Sequence, residues 1–499
     1  MKRNKFSLSN YKLQSMRMGE LIPVNWEEVL PGDSFQQSTS ALIRVSPLVA
    51  PVMHPVAVRI HHWFVPNRLI WDGFEDFITG GEDGLDETIP PYKLVAQVGE
   101  GGLADYLGIP TADTYDPELH VSMLPFRAYQ LIYNENYRDQ DLVPAVVVAK
   151  ESGQDLTTDP NINKVAWEKD YFTTARLTEA KGPEITIPML GSAPILPSQA
   201  EAVPTFGSVG HADAIALYGA DTATQIQMET SQSGIAQKKW ADPALIADLS
   251  AATGISINDL RFALAQQRYQ EARNQFGSRY VEYLKYLGIR NPSDARLHNP
   301  EYIGGGRQTI QFSEVLKHSE VSAELDPTGS PLGTMGGHGI TAMRTNRYRR
   351  YFEEHGILMT LMSVVPKAIY SSQLQRKWLR QTKEEYYQKE LVYLGDQEIT
   401  NKEVQANHSV PDGIFGYQGR YDEYRHGLSG IAGEYRSILS HWHMARMFET
   451  DVALNQTFIE SDPTDRIYAS TETDPLLCMI NNNIQVRRML PRDPQPKTF

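Results

Sequence analysis

Two histidines one residue apart, His441 and His443 in SHWHMAR, are the arrangement in this chain best suited to metal chemistry. On a strand that spacing sends both imidazoles to one face, where zinc or another divalent ion can bridge them. No third ligand is identifiable, so packed or interface histidines compete with the metal reading and no metal is assigned. His61 and His62 are adjacent; on a strand they face opposite ways and cannot share an ion. Acidic pairs such as Asp72 with Glu75, or Asp422 with Glu423, meet the two-carboxylate requirement of a glycosidase. In a chain with 61 acids such pairs arise by chance. The glycine cluster GTMGGHG (333–339) lacks the Gly-Lys-Ser/Thr ending of a phosphate-cradling loop. It reads as a flexible loop passing close to other backbone. No GxSxG is present. Cys478 is the sole cysteine and lies in the apolar run LLCMI. It reads as a small buried hydrophobe, and it excludes both an intrachain disulfide and a Cys-based zinc site. No catalytic residue and no cofactor is assigned.

Basic residues form a second kind of constellation. RTNRYRRYF (344–352) places four arginines beside aromatics, and QVRRMLPR (485–492) holds three more. Lys2, Arg3, Lys5, Lys12 and Arg17 all precede the first acid, Glu20. Arginine interleaved with aromatics suits single-stranded nucleic acid, because bases stack on rings while phosphates pair with guanidinium. The same composition suits a subunit interface, or a solvated face. Lys2, Arg3, Lys5, Arg344, Arg347, Arg487 and Arg488 are the candidate DNA contacts. The chain as a whole carries 47 Lys+Arg against 61 Asp+Glu, a net charge of -14. Contact with DNA must therefore come from local segments, since the bulk of the protein repels it.

These side chains need a scaffold. At 499 residues, with 25 Tyr, 36 Gly and 30 Pro, the composition leans towards strands joined by elaborate loops. Residues 1–19 read as a flexible basic arm. PGDSF (31–35) reads as a turn into a strand, and residues 56–64 alternate as a strand with one buried face. Residues 125–137 carry helical spacing, and 143–148 and 183–190 are short runs of strand character. Residues 191–250 hold six acids, two lysines and no sustained periodicity; they read as a long surface excursion. Ser256 caps a helix that ends at Gly288. Residues 294–306 read as a turn-rich crossing, 357–365 as a strand, 372–394 as a helix, 401–432 as a loop and 476–490 as a final strand. Short strands separated by long excursions point to an all-β jelly roll with long inserted loops and a few helices. No segment approaches the ~18 apolar residues that span a bilayer, so membrane insertion is not expected. The N-terminus lacks a signal-peptide pattern, and synthesis in a reducing cytoplasm is expected.

Several long stretches are also familiar. LPGDSF (30–35), FVPNRLIWD (64–72), PFRAYQLIYNENYRDQDL (125–142), DYFTTA (170–175), DARLHNPEYIGGG (294–306), FGYQGRYDEYR (415–425), HWHMARMF (441–448) and FIESDPTDRIYA (458–469) occur in this order. By these stretches the chain resembles the major capsid proteins of Microviridae, most closely the gokushovirus type. The resemblance implies an eight-stranded antiparallel jelly roll (a β-sandwich) and a T=1 icosahedral shell of sixty copies around single-stranded circular DNA. Its implied partners are sister subunits in pentamers and shells, the DNA genome, a small basic DNA-binding protein, a scaffolding protein, a minor pilot protein and a host surface receptor. It implies a virion protein assembled in the bacterial cytoplasm. It also places the excursion in an insertion that builds threefold protrusions, with Phe206, Tyr218 and Trp240 as candidate host contacts. The expected organisation is an arm over 1–19, a jelly-roll core over 20–190 and 306–499, and an inserted excursion plus helix over 191–305. A β-sandwich carbohydrate-binding module or glycosidase is the alternative.

Overall fold

Period-two patterning at both ends of the chain builds one sheet from segments more than 400 residues apart. The computed structural model describes residues 3–115, 118–186, 256–316 and 333–492, together with five short strands inside 187–255. The main strands are β1 (Asn4–Ser7), β2 (Asn10–Met16), β3 (Leu21–Val29), β4 (Ser34–Leu48), β5 (Val56–Pro66), β6 (Glu301–Thr309), β7 (Gln311–Leu316), β8 (Met335–Arg344), β9 (Tyr348–Tyr351), β10 (Gly356–Pro366) and β11 (Leu476–Arg488). A seven-stranded sheet runs β1-β11-β4-β8-β7, with β2 also on β11 and β9 also on β4. A four-stranded sheet runs β6-β5-β10-β3. All of these pairings are antiparallel. Along the chain, β1 and β2 lie in the first sheet, β3 in the second, β4 in the first, β5 and β6 in the second, β7 to β9 in the first, β10 in the second and β11 in the first.

The two sheets share a core. Ile43, Val45, Cys478 and Ile480 of the first meet Ile22, Val58, Ile60, Met362 and Val364 of the second in one buried cluster. The second sheet is covered on its other face too. Ile357, Met359 and Leu361 of β10 join Phe126, Tyr129 and Ile132 of helix α1 (Leu124–Asn136), with Trp167 and Phe172 from the following loops. Every residue of β10 is buried, the pattern of a strand packed on both sides. Among the described residues the first sheet has no such cover: in β11 buried residues alternate with exposed or half-exposed ones. Its outer face is a surface.

Contacts divide the chain into two units: Met1–Ala180 with Arg273–Phe499, and Lys181–Ala272. In the smaller unit Thr205–Ser208 pairs with both Ala214–Ala216 and Lys238–Asp242, and Ile195–Pro197 pairs with Leu245–Ala247. Helix α2 (Ile257–Phe276) starts at Ser256, whose hydroxyl accepts the Asp259 amide at 3.0 Å. It stops earlier than its pattern suggested. Gly277 takes φ +96°, and a separate helix α3 (Tyr280–Tyr286) precedes Gly288, also at φ +96°.

Other expectations are corrected. The N-terminal segment is not a flexible arm from residue 4 onward; it is β1 and β2, hydrogen-bonded to β11. Residues 301–305 belong to β6, so an excursion running to 305 cuts through a sheet strand. Residues 372–394 form only the 3-10 turns Arg376–Trp378, Lys383–Glu385 and Lys389–Leu391. Residues 143–148 form no strand, whereas the 401–432 loop holds the strand Ile414–Gly419. GTMGGHG is not a flexible loop: most of it lies in β8. The close backbone approach is real, since a Cβ on Gly337 would stand 2.7 Å from the Ala50 carbonyl oxygen.

Candidate functional site

The uncovered face of the seven-stranded sheet gathers most of the candidate basic residues. Directly opposed residues of an antiparallel pair share a face, so the register can be read across the sheet in rows. Lys5 opposes Arg487, Arg487 opposes Ser34, and Ser34 opposes Tyr351. The next row is Ser7, Gln485, Gln36 and Arg349. Tyr11, Asn481, Ser40 and Arg344 form another. At the far end stand Leu13, Met479, Leu42 and Ala342, then Ser15, Leu477, Arg44 and Ile340. Lys5, Arg487, Arg349, Arg344 and Arg44 are exposed. Arg3 lies over the Tyr351 ring at 4.9 Å.

No Asp or Glu occupies an outward position in these rows. In a protein with 14 more acids than bases, strand rows without acids are a local inversion of sign, although at their far end the Ser15 hydroxyl bonds the Asp474 carboxylate at 2.7 Å. Lys5, Arg487 and Arg349 make one end of the face basic, amides and hydroxyls with Arg344 fill the middle, and the far end is apolar apart from Arg44 and Ser15. Arginine, lysine and exposed tyrosine on a flat polar sheet can pair with phosphate and stack with bases.

The same register separates residues that sequence reasoning treated alike. Arg488 points the other way from Arg487: it pairs with buried Asp33 at 2.9 Å, donates to the Glu28 carbonyl at 2.7 Å and covers the Phe35 ring. It is a structural ion pair and not a free contact. Arg350 is likewise spent on Glu301. Lys12 turns inward to the carbonyls of Pro23 and Tyr106, and burial lowers its ammonium to about 8. Arg347 is exposed between β8 and β9, off the rows. Lys2 lies outside the described residues, as does Tyr218. Phe206 and Trp240 are opposed register positions on neighbouring strands of the smaller unit. Arg44 and Arg349 were not among the predicted contacts. The signal for Arg44 was present: in SALIRV the apolar residues Ala41, Ile43 and Val45 alternate with it.

The other candidates are absorbed by packing. His441 belongs to the 3-10 turn Ser440–Trp442, and the pair does not share a strand face. His443 is buried; its Nε2 donates to the Tyr435 carbonyl and its Nδ1 accepts the Ala445 amide. Burial, foremost, lowers its pKa. Among the described residues no three His, Cys, Asp or Glu side chains are grouped to hold a metal. His61 bonds the Tyr137 hydroxyl, while His62 on the opposite face bonds Thr360 and Thr345. Burial pushes their pKa values down to about 4 and about 3. Asp422 is tied to Arg425 and Gln418, and Glu423 to Arg380 and Gln397. Glu423 borders a cavity, but Asp422 is not among its lining residues, so the two do not face each other across one cleft as a catalytic pair requires.

A mostly β protein with a shared two-sheet core and a sheet face open to a partner fits a structural, assembling role. Residues 1–498 match the family described as "Capsid protein (F protein)". The chain is 35% identical to the capsid protein VP1 of Bdellovibrio phage phiMH2K, across 95% of this chain and 90% of the relative. It is 29% identical to capsid protein VP1 of Chlamydia phage 1, across 98% and 94%. Against capsid protein VP1 of Spiroplasma virus 4 the identity is 28%, across 95% and 90%. The chain belongs to this phage capsid protein family. It is a Microviridae-type major capsid protein, a virion component and not an enzyme, and its family implies assembly into a shell.

Proposed function

We propose that this capsid protein folds as an eight-stranded jelly roll and assembles, through pentamers, into a T=1 shell of sixty copies around single-stranded circular DNA. The outer face of the seven-stranded sheet lies against that DNA. The acid-free rows of Lys5, Arg487, Arg349, Arg344 and Arg44 carry this reading. The jelly roll rests on β2-β11-β4-β8 facing β3-β10-β5-β6, with the chain alternating between the two sets as that fold requires. Sixty copies at -14 add negative charge to a negative genome. Five outward cations per copy position DNA without neutralising it. A small basic DNA-binding protein, or polyamines and other cations, supplies the rest. A scaffolding protein and a minor pilot protein complete the particle, which is built in the bacterial cytoplasm.

The smaller unit is read as the threefold protrusion that meets the host receptor, with Phe206, Tyr218 and Trp240 as contact residues. Deleting residues 195–245 tests this: shells form and adsorption to host cells is lost. Loss of folding would contradict it. For the DNA face, Lys5→Glu with Arg487→Glu is packaged alongside the wild type. Particles assemble with a lower DNA content, read from the ratio of absorbance at 260 and 280 nm across a sucrose gradient. Unchanged DNA content refutes the assignment.

A further inference from the structure

Two neighbouring cavities open where the 3-10 turn Arg376–Trp378 meets residues 421–436. One, of about 410 Å³, is lined by Tyr171, Arg376, Lys377, Arg380, Glu423 and Tyr424. The other, of about 290 Å³, is lined by Tyr370, Leu374, Lys377, Trp378, Ile431 and Arg436. Lys377 borders both, and Trp378 stands 74% exposed beside them.

The first cavity is built for a negative group. Arg380 has only 9% of its side chain exposed and stacks on the Tyr424 ring at 4.4 Å. Its Nη2 holds Glu423 at 3.1 Å, but its buried Nε has no hydrogen-bond partner among the described residues. Lys377 at the rim makes no ion pair among the described residues. The second cavity offers an aromatic and aliphatic wall for an apolar side chain.

The chain carries a matching segment. Residues 72–87 hold seven acids (Asp72, Glu75, Asp76, Glu82, Asp83, Asp86 and Glu87) and no Lys or Arg. None of the seven is ion-paired among the described residues. The Asp86 amide closes the loop onto the Gly80 carbonyl at 3.0 Å, with Gly80, Gly81 and Gly84 at positive φ. The tip presents Leu85, which is 81% exposed, between Asp83 and Asp86. An exposed leucine framed by acids complements a wall of Leu374, Trp378 and Ile431 that stands beside the cationic Lys377 and Arg436. The loop and the cavities are different surfaces of one chain, so their pairing between copies is head-to-tail, the contact that closes rings in a cyclic assembly.

We propose that the Arg380–Trp378 cavities receive the 80–87 loop of a second copy of this chain, with its carboxylates at Lys377 and Arg380 and Leu85 against Trp378. The inference rests on shell assembly. Full-length chains carrying Lys377→Glu, Asp83→Lys or both are co-expressed with their assembly partners and sedimented. Each single reversal lowers the assembled fraction about tenfold, and the double reversal restores it. As a second readout, a chain with Leu85→Cys is mixed with one carrying Trp378→Cys. The native Cys478 is buried, so oxidised shells yield disulfide-linked heterodimers through the introduced thiols. Single variants that assemble like the wild type, a double variant no better than the singles, or the absence of heterodimers overturns the proposal. Variants that assemble but fail to adsorb to cells also overturn it, and assign the cavities to host attachment. A wild-type chain that never assembles defeats the shell reading itself.

Discussion

Lowering the pH from 7 to 5 should cost the free subunit stability through two buried histidines. His54 donates Nε2–H to the Lys367 carbonyl, and its ring lies near His443 and Arg466. His62 is wholly buried between Thr360 and Thr345, with the Tyr348 ring 5.2 Å away. Burial, the dominant cause, holds His54 at about 4 and His62 at about 3, against 6.5 for the free side chain. The folded state therefore keeps both neutral at pH 5, while the unfolded chain protonates them. Stability is complete above about 6.5 and is lost as pH falls towards the folded values. Each residue costs about 1.4 kcal/mol per unit below 6.5, so at pH 5 each costs about 2 kcal/mol and the two together about 4. That is a large share of the roughly 5–15 kcal/mol available to a folded domain. Glu403, raised by burial, works in the opposite direction, so the wild-type profile alone is not decisive. His62→Gln isolates the effect. Urea unfolding of unassembled subunits at pH 7 and pH 5 should show the loss shrink by about 2 kcal/mol in the variant. An identical loss in both proteins would refute the argument.

Two further outcomes follow from packing. Arg127 and Asp155 form an ion pair at 2.8 Å with side chains 1% and 0% exposed, so Arg127→Met strands a buried carboxylate and costs about 3–5 kcal/mol in urea unfolding. Adding Asp155→Leu should recover part of that loss. Gly337→Ala drives a methyl into the backbone of Ala50 and Pro51 and lowers the unfolding free energy by about 1–3 kcal/mol in urea titration, whereas Gly336→Ala, whose nearest neighbour is 3.7 Å away, leaves it nearly unchanged.

Local alternation made β5 readable, because Val56, Val58, Ile60 and Phe64 fall on one buried face, with His62 as its one polar member. β10 was readable for a different reason: it is buried on both sides and runs as continuous hydrophobe. The N-terminal strands were missed although they alternate, since Lys5 and Arg3 drew attention as charges rather than as outward positions of a strand. Their partner β11 lies more than 450 residues away, and no local pattern reports such pairing. Residues 372–394 misled in the other direction: a segment read as one helix forms short 3-10 turns, and its first part, Leu374 to Trp378, borders the cavities. The candidate site shows the same limit. Composition could find the arginine clusters, but only strand register separates outward Arg487 from Arg488, which is committed to Asp33. It is also register that brings Arg44 and Arg349 into the same face.

Ultraviolet crosslinking of DNA inside intact particles, with the attached peptides mapped by mass spectrometry, tests the central claim most directly. Crosslinks should concentrate on the outward residues of β1, β2, β9 and β11, including Tyr11 and Tyr351 beside the basic rows. Crosslinks confined to the smaller unit or to residues 370–440, with none on the seven-stranded sheet, would contradict it.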